Sequence, residues 1–176
     1  MGTFKSRGLR GSVLEDLINT TNEYYRENKL ALIQKIPTPI TPIEMDKRKH
    51  ITLAYFDKKS TVDYIGSVQG IPTCFDAKEC AVDTFPLHNV HEHQMQFMKD
   101  FEEQGGVSFF IVSYTARDEV YYLPYRHVEV FWNRMLEGGR KSFTYDEIDK
   151  SYIIKQKGEA LVHYLEPFQK DINEHE

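Results

Sequence analysis

The chain has 176 residues and a net charge of −5, and it is rich in aromatic residues, with eleven Tyr, eleven Phe and one Trp. Its length and 40% hydrophobic content indicate one globular domain that needs no disulfide or metal to fold, and they exclude a disordered chain. No apolar run approaches the roughly 18 residues of a membrane span, and no apolar stretch follows the first basic residues, so we expect no secretory signal. Cys74 and Cys80 are the only cysteines, too few for a disulfide framework or a complete zinc site, so we expect a reducing cytoplasm.

The first part of the chain predicts a helix, a short strand and an extended excursion. Ser12 and Glu15 form a capping-box pattern and apolar residues follow at helical spacing, so an amphipathic helix is predicted at 13–28. A short strand is predicted at 30–36. Prolines exclude a helix after it and disfavour a central strand. Residues 37–53 are therefore predicted to leave the compact body as an extended segment with a basic tip.

The rest of the chain predicts a sheet with helices around it. Strands at 62–65 and 73–78 are expected to pair antiparallel around a turn at 66–70. The later predicted elements, in chain order, are a helix at 88–103 ended by Gly105 and Gly106, a buried central strand at 107–114, a strand at 119–123, a helix at 128–136, a short helix after the capping box Thr144–Glu147, and a helical tail at 159–170. This order predicts one mixed α/β domain with a central sheet flanked by helices.

The two paired strands carry acids and a lysine where a sheet would carry apolar residues. Asp76 and Lys78 should point to the same face, roughly 6.5 Å apart, with Asp63 on the strand about 4.8 Å away. Two converging carboxylates repel unless a cation lies between them, and oxygen ligands of this kind favour Mg²⁺. A lysine alongside can stabilise charge on a phosphate or help deprotonate an attacking water. The pattern therefore predicts hydrolysis of a phosphodiester.

Two other interpretations of these residues remain. The bare pattern of acids and lysine is common, and a surface strand with a solvated Asp76–Lys78 pair would show it too. His88, His91 and His93 crowd the start of the second helix, but they lack the i, i+4 spacing of two zinc ligands on one helical face. Zinc is therefore disfavoured.

Basic residues are clustered although the total charge is negative. The clusters are Lys5, Arg7 and Arg10 in the first ten residues, Lys47, Arg48 and Lys49 in the predicted excursion, and Arg140 with Lys141. Local patches of this kind can contact phosphates even when the net charge is negative, and ordinary solvated charges are the alternative.

A set of short segments in fixed order gives these residues a wider context. The segments are Ser6–Gly8, Leu14–Leu17, Asn22–Tyr25, Lys35–Pro39, Ala54–Phe56, Ser60–Tyr64, Phe75–Glu79, Phe85–Leu87, His91–Gln94 and Gly139–Ser142. Together they resemble the RecU Holliday-junction resolvases of low-GC Gram-positive bacteria, over most of the chain from about Ser6 to Ser142.

The resemblance implies a restriction-endonuclease-like nuclease fold with a projecting stalk and a flexible N-terminal arm at about 1–11. It also implies a homodimer that uses Mg²⁺, with Mn²⁺ as a substitute, to cut four-way DNA junctions by paired symmetric nicks in recombination and repair. Recombination proteins are possible further partners.

The roles that the resemblance implies fall into three groups. Asp63, Asp76 and Thr61 would belong to the metal site. Lys78, Gln94 and Glu15 would be catalytic. DNA contacts would come from Arg7, Arg10, Lys47, Arg48, Lys49, Arg140 and Lys141. Glu15 has an alternative task as the third residue of a helix capping box.

Two departures from the family pattern keep other functions open. Asp76 stands where the family has glutamate, which could change the rate or the metal preference. The stalk is also a few residues shorter, with modest basicity. A junction-binding protein without activity and a restriction-type endonuclease acting on linear duplex are therefore alternatives, as is a scaffold whose acids are surface residues.

Overall fold

The computed structural model describes residues 13–56 and 61–175. The α-helices are α1 (Val13–Glu27), α2 (Glu92–Glu103), α3 (Tyr125–Leu136) and α4 (Leu165–His175). The strands are β1 (Ala31–Lys35), β2 (Ile40–Met45), β3 (Ile51–Phe56), β4 (Tyr64–Val68), β5 (Ile71–Cys80), β6 (Thr84–Pro86), β7 (Val107–Tyr114), β8 (Glu119–Pro124), β9 (Ser142–Thr144) and β10 (Ile153–Ile154). No helix in this part of the chain combines the length and apolar character needed to cross a membrane.

The central sheet has six strands in the order β1-β4-β5-β7-β8-β10. Neighbouring strands are antiparallel except β5 and β7, which are parallel. A parallel pair needs a long crossover connection, and α2 lies in the one between β5 and β7. The predicted fold class, a mixed α/β domain with a central sheet flanked by helices, is confirmed.

Both faces of the sheet are covered by apolar residues, which is why β7 is buried along almost its whole length. On the face that packs against α1 and α4, four rings stack in sequence across the strands: Tyr64, Phe75, Phe109 and Tyr122, with centroids 4.7, 4.7 and 4.1 Å apart. The opposite face packs against α2, α3 and the small β6–β9 sheet. These stacked aromatic rings therefore form part of the hydrophobic core.

The predicted excursion is a separate antiparallel hairpin of β2 and β3. Its bounds differ from the predicted 37–53, because the paired segments run from Ile40 to Phe56. The turn is held by Asp46, whose Oδ1 accepts hydrogen bonds from the backbone N–H groups of Arg48 and His50 at 2.7 and 2.9 Å. Nearly all side chains of the hairpin are exposed, including Phe56 at 75% and Met45 at 62%. The hairpin therefore adds little to the core.

Several predicted elements differ from the structure in detail, and three of these differences change how the chain runs. Gly66 lies inside β4, and the turn between β4 and β5 is formed by Gln69 and Gly70, which both have positive φ. Helix α2 begins at Glu92 and not at 88, after a short 3₁₀ segment. The tail becomes helical only at Leu165, because the residues before it pair with other parts of the chain.

Only one of the two predicted capping boxes lies wholly within the described residues. Thr144 and Glu147 form theirs, with the Thr144 N–H donating to Glu147 Oε2 at 2.8 Å, and they open a single 3₁₀ turn. The box predicted at Ser12 lies outside the described residues, as does the predicted flexible arm.

Candidate active site

The pairing of β4 with β5 brings Asp63 close to Asp76. Tyr64 pairs with Phe75, so Asp63, which directly precedes β4, lies opposite Asp76. The carboxylate of Asp63 is anchored on the neighbouring strand, because its Oδ2 accepts the backbone N–H of Ala77 at 3.0 Å. Asp63 was predicted on a strand and instead lies at the strand's edge, but the predicted convergence of the two acids is present.

Asp76 and Lys78 share one face of β5, as the alternation of side chains predicts. Lys78 Nζ lies 2.6 Å from Asp76 Oδ2. The side chain of Asp76 has no exposed surface and that of Lys78 is 18% exposed. This burial excludes the alternative of a solvated pair on a surface strand.

Gln94 joins this group from the first turn of α2. Its Nε2 donates to Asp76 Oδ1 at 2.9 Å, and its Oε1 accepts the backbone N–H of His91 at 3.1 Å. Lys78 Nζ is 3.5 Å from the same Oε1, which is a weak contact. Asp63, Asp76, Lys78 and Gln94 therefore form one cluster at the junction of β4, β5 and α2.

The environment of Asp76 favours its neutral form. Burial is the main cause that raises the pKa of Asp76, and the negative charge of Asp63 raises it further, whereas Lys78 lowers it. The resulting pKa is about 7. A carboxyl that resists ionisation in this way is common where a cation or a proton transfer is part of the chemistry.

The residues present fit a divalent cation with oxygen ligands. Asp76 Oδ2 is buried, and the group closest to it is the Lys78 ammonium at 2.6 Å. A divalent cation beside Oδ2 and Asp63 would offset the repulsion between the two carboxylates. Within residues 13–56 and 61–175, no three His, Cys, Asp or Glu side chains are grouped as a metal cage, so zinc ligation by the histidines gains no support. Two carboxylates suit Mg²⁺, which keeps water and phosphate as its other ligands.

The remaining predicted site residues lie around this cluster or away from it. Glu15 pairs with Lys35 at the end of β1. Thr61 is half-buried two positions before Asp63. Lys47, Arg48 and Lys49 are exposed at the hairpin turn. Arg7 and Arg10 lie outside the described residues.

Arg140 and Lys141 are exposed beside the β6–β9 sheet. Arg140 pairs with Glu147 at 2.7 Å, and Arg134 binds the same carboxylate at 2.6 Å. The pKa of Glu147 is lowered to about 2, and the largest cause is the hydrogen bond from Arg134. A contact between Arg140 and DNA would have to compete with this ion pair.

Sequence reasoning missed two contacts that build the site. The first is the backbone N–H of His91, which holds Gln94. The second is Glu79, whose Oε1 accepts the backbone N–H of Leu14 at 3.0 Å and so ties the first turn of α1 to β5 next to Lys78. The capping pattern at 91–94 was a usable signal for the first contact, whereas the second joins residues far apart in sequence.

Comparison with known proteins places the chain in a family. The family profile described as RecU, recombination protein U, matches residues 9–170. The chain is 43% identical over 148 residues to the Holliday junction resolvase RecU of Geobacillus sp. (strain WCH70), covering 81% of this chain and 74% of that protein. The RecU resolvase of Oceanobacillus iheyensis is 41% identical over 167 residues, which is 92% of this chain and 85% of that protein.

One solved structure was also matched. The Holliday junction resolvase Hjc of Archaeoglobus fulgidus matches with a TM-score of 0.40 and 11% identity, over 77% of this chain and 89% of that chain. The family profile and the two close relatives each cover most of the sequence, including Asp63, Asp76, Lys78 and Gln94. The chain belongs to the RecU, recombination protein U, family.

Proposed function

We propose that this protein is a Mg²⁺-dependent, structure-specific endonuclease that resolves Holliday junctions by paired symmetric nicks during recombination and repair. The observation that carries the proposal is the cluster of Asp63, Lys78 and Gln94 around the buried carboxylate of Asp76. The close relatives are named Holliday junction resolvases, which supports the choice of substrate.

Each residue of the cluster has a task that its surroundings support. Asp63 and Asp76 would hold the ion, which supplies an activated water and offsets charge on the phosphate. Lys78 keeps an ammonium group beside Asp76 that can stabilise charge developing on the phosphate. Gln94 fixes the orientation of Asp76. Mn²⁺ has the same preference for oxygen ligands and would substitute.

The proposal includes a homodimer that acts in the cytoplasm, with recombination proteins as further partners. A junction has approximate two-fold symmetry, so two copies of the chain would place one site on each of two opposing strands. Basic residues at the hairpin turn are exposed and available to the phosphates at the branch point. Arg7, Arg10, Arg140 and Lys141 are the further candidates for phosphate contacts.

A nicking assay tests this function. A synthetic four-way junction with each strand labelled in turn is incubated with Mg²⁺ and wild-type protein, beside a linear duplex of the same sequence. We expect nicks at symmetric positions in two strands of the junction, with the linear duplex uncut. Asp63→Ala and Lys78→Ala should bind the junction without cutting it.

Other results would favour the alternative functions. Tight binding by the wild type without cutting would indicate a junction-binding protein. Equal cutting of junction and linear duplex would indicate a restriction-type endonuclease. Cutting that is unchanged in Asp63→Ala would place the active site elsewhere.

A further inference from the structure

The side-chain amide of Gln94 has one orientation that its neighbours allow. Its oxygen faces a donor, the His91 N–H at 3.1 Å, and its nitrogen faces an acceptor, Asp76 Oδ1 at 2.9 Å. Turning the amide over would place its NH₂ against an N–H and its oxygen against a carboxylate, so both contacts would become repulsive. Gln94 is 6% exposed, and water therefore offers little compensation.

This orientation makes the two oxygens of Asp76 unequal. Oδ1 accepts a hydrogen bond from the neutral amide of Gln94, whereas Oδ2 faces the Lys78 ammonium group at 2.6 Å. Gln94 therefore holds the carboxylate by Oδ1, and Oδ2 is the oxygen turned towards positive charge. The Gln94 amide is in turn held by the backbone N–H of His91, directly before α2.

We propose that the backbone N–H of His91 is a positioning group for Asp76, acting through Gln94. The inference rests on the proposed function, in which Asp76 holds a divalent ion. The peptide N–H is the group of His91 that contacts the side chain of Gln94, whereas the imidazole accepts the backbone N–H of Gln94. Removing the peptide N–H takes away one of the contacts that hold the Gln94 amide in place, so its bond to Asp76 Oδ1 weakens and the carboxylate is less firmly oriented.

Proline at position 91 removes this N–H with little change of backbone. His91 has φ −94° and ψ 147°, so the ring of proline needs a change in φ of about 30°. Val90 has φ −103° and ψ 130°, the extended conformation that a residue before proline adopts. Two matched controls keep the N–H: His91→Ser, which also keeps a side-chain cap, and His91→Ala, which removes the cap and should still bind Mg²⁺ like the wild type.

The test compares Mg²⁺ affinity by calorimetry and the side-chain amide signals of Gln94 by NMR. Loss of a contact that orients a metal ligand typically lowers affinity 10–100-fold, so we expect about that loss in His91→Pro and wild-type affinity in His91→Ser. The Gln94 amide protons should be protected from exchange in wild type and in His91→Ser, and should lose that protection in His91→Pro. Junction nicking should follow the same order.

Three results would contradict parts of the account in distinguishable ways. Wild-type Mg²⁺ affinity and Gln94 signals in a folded His91→Pro would overturn the inference and leave the proposed function intact. Absence of Mg²⁺ binding by the wild type would overturn both. Should His91→Pro fail to fold, Gln94→Met removes the same two bonds, and its unchanged affinity for Mg²⁺ would overturn the inference.

Discussion

Asp76 is a carboxyl group whose burial makes its charge costly, and this gives the folded protein a characteristic pH dependence. Its pKa is raised to about 7, well above the ordinary value of an aspartate, so the folded state holds a proton that the unfolded state releases between these two values. Without metal, the contribution of Asp76 to stability is therefore present at low pH and is lost as pH rises towards about 7.

Asp76→Asn removes this ionisation and isolates its effect. In EDTA, we expect the variant to gain stability relative to the wild type as pH rises from about 5 to about 8, by on the order of 3 kcal/mol. Urea unfolding of both proteins at the two pH values measures the difference. A stability difference that does not change with pH would show that Asp76 ionises normally.

The placement of side chains along one strand of the site could be predicted from the sequence, whereas contacts between distant residues could not. Side-chain alternation along a strand is a local rule, so it correctly placed Asp76 and Lys78 on one face. The contact from Glu79 to Leu14 depends on how α1 lies against β5, which no local pattern contains. The role of Glu15 in the site stays a prediction, since its observed partner is Lys35.

At the scale of elements, the pairing of β1 with β4 depends on one glycine. A Cβ at Gly66 would lie 2.0 Å from the backbone oxygen of Leu32, so β1 would have to move away. We expect Gly66→Ala to lower the free energy of unfolding by about 1–3 kcal/mol, measured by chemical denaturation. Ser67→Ala in the same strand is the control, with an effect of about 0.5 kcal/mol or less. A Gly66→Ala variant as stable as this control would contradict the observed pairing.

The same glycine explains one error of the sequence analysis. Glycine serves either a turn with positive φ or a close approach of two backbones, and the sequence does not distinguish the two. Gly70 serves the turn, with φ 91°, and Gly66 the close approach. The strand at 107–114 was predicted correctly because a continuous apolar run has few alternatives, whereas its parallel pairing with β5 arises only from tertiary packing.

Helix α1 also depends on a contact from another element. Glu79 accepts the N–H of Leu14, so it occupies the place of a helix cap and its charge suits the positive end of the helix dipole. Glu79→Ala should lower stability by about 1 kcal/mol in thermal or urea unfolding. Glu23→Ala, which removes an exposed ion pair on the same helix, should cost less. An equal loss of unfolding free energy in the two variants would show that the Glu79 contact stabilises α1 no more than an exposed ion pair does.

For the whole molecule, the exposed hairpin is the feature that the core does not explain. Lys47, Arg48 and Lys49 lie at its turn, where they can be changed without loss of packing. Replacing all three by alanine should weaken junction binding. It should also reduce the slope of the logarithm of the association constant against the logarithm of salt concentration by up to about 3. The variant should unfold like the wild type. Replacing Lys155 and Lys157, which are exposed outside the hairpin, is the control, and an equal loss of binding there would show that the hairpin has no special part.

The arrangement of the whole molecule follows from the sequence only in outline. Composition and the order of elements predicted the mixed α/β fold class with a central sheet, and that fold class is confirmed. The order of strands in the sheet could not be predicted, because β5 and β7 are separated by β6 and α2 and meet only after the chain has crossed over. That crossover brings α2 and Gln94 to Asp76.

The claim on which the account depends is that Asp63 and Asp76 together hold a divalent ion. Titration of Mg²⁺ into wild type and Asp63→Asn, followed by calorimetry at about pH 8 where Asp76 is mostly ionised, tests it directly. We predict saturable binding by the wild type and its loss in the variant, with the fold unchanged by circular dichroism. Equal Mg²⁺ affinity in the two proteins would contradict the account.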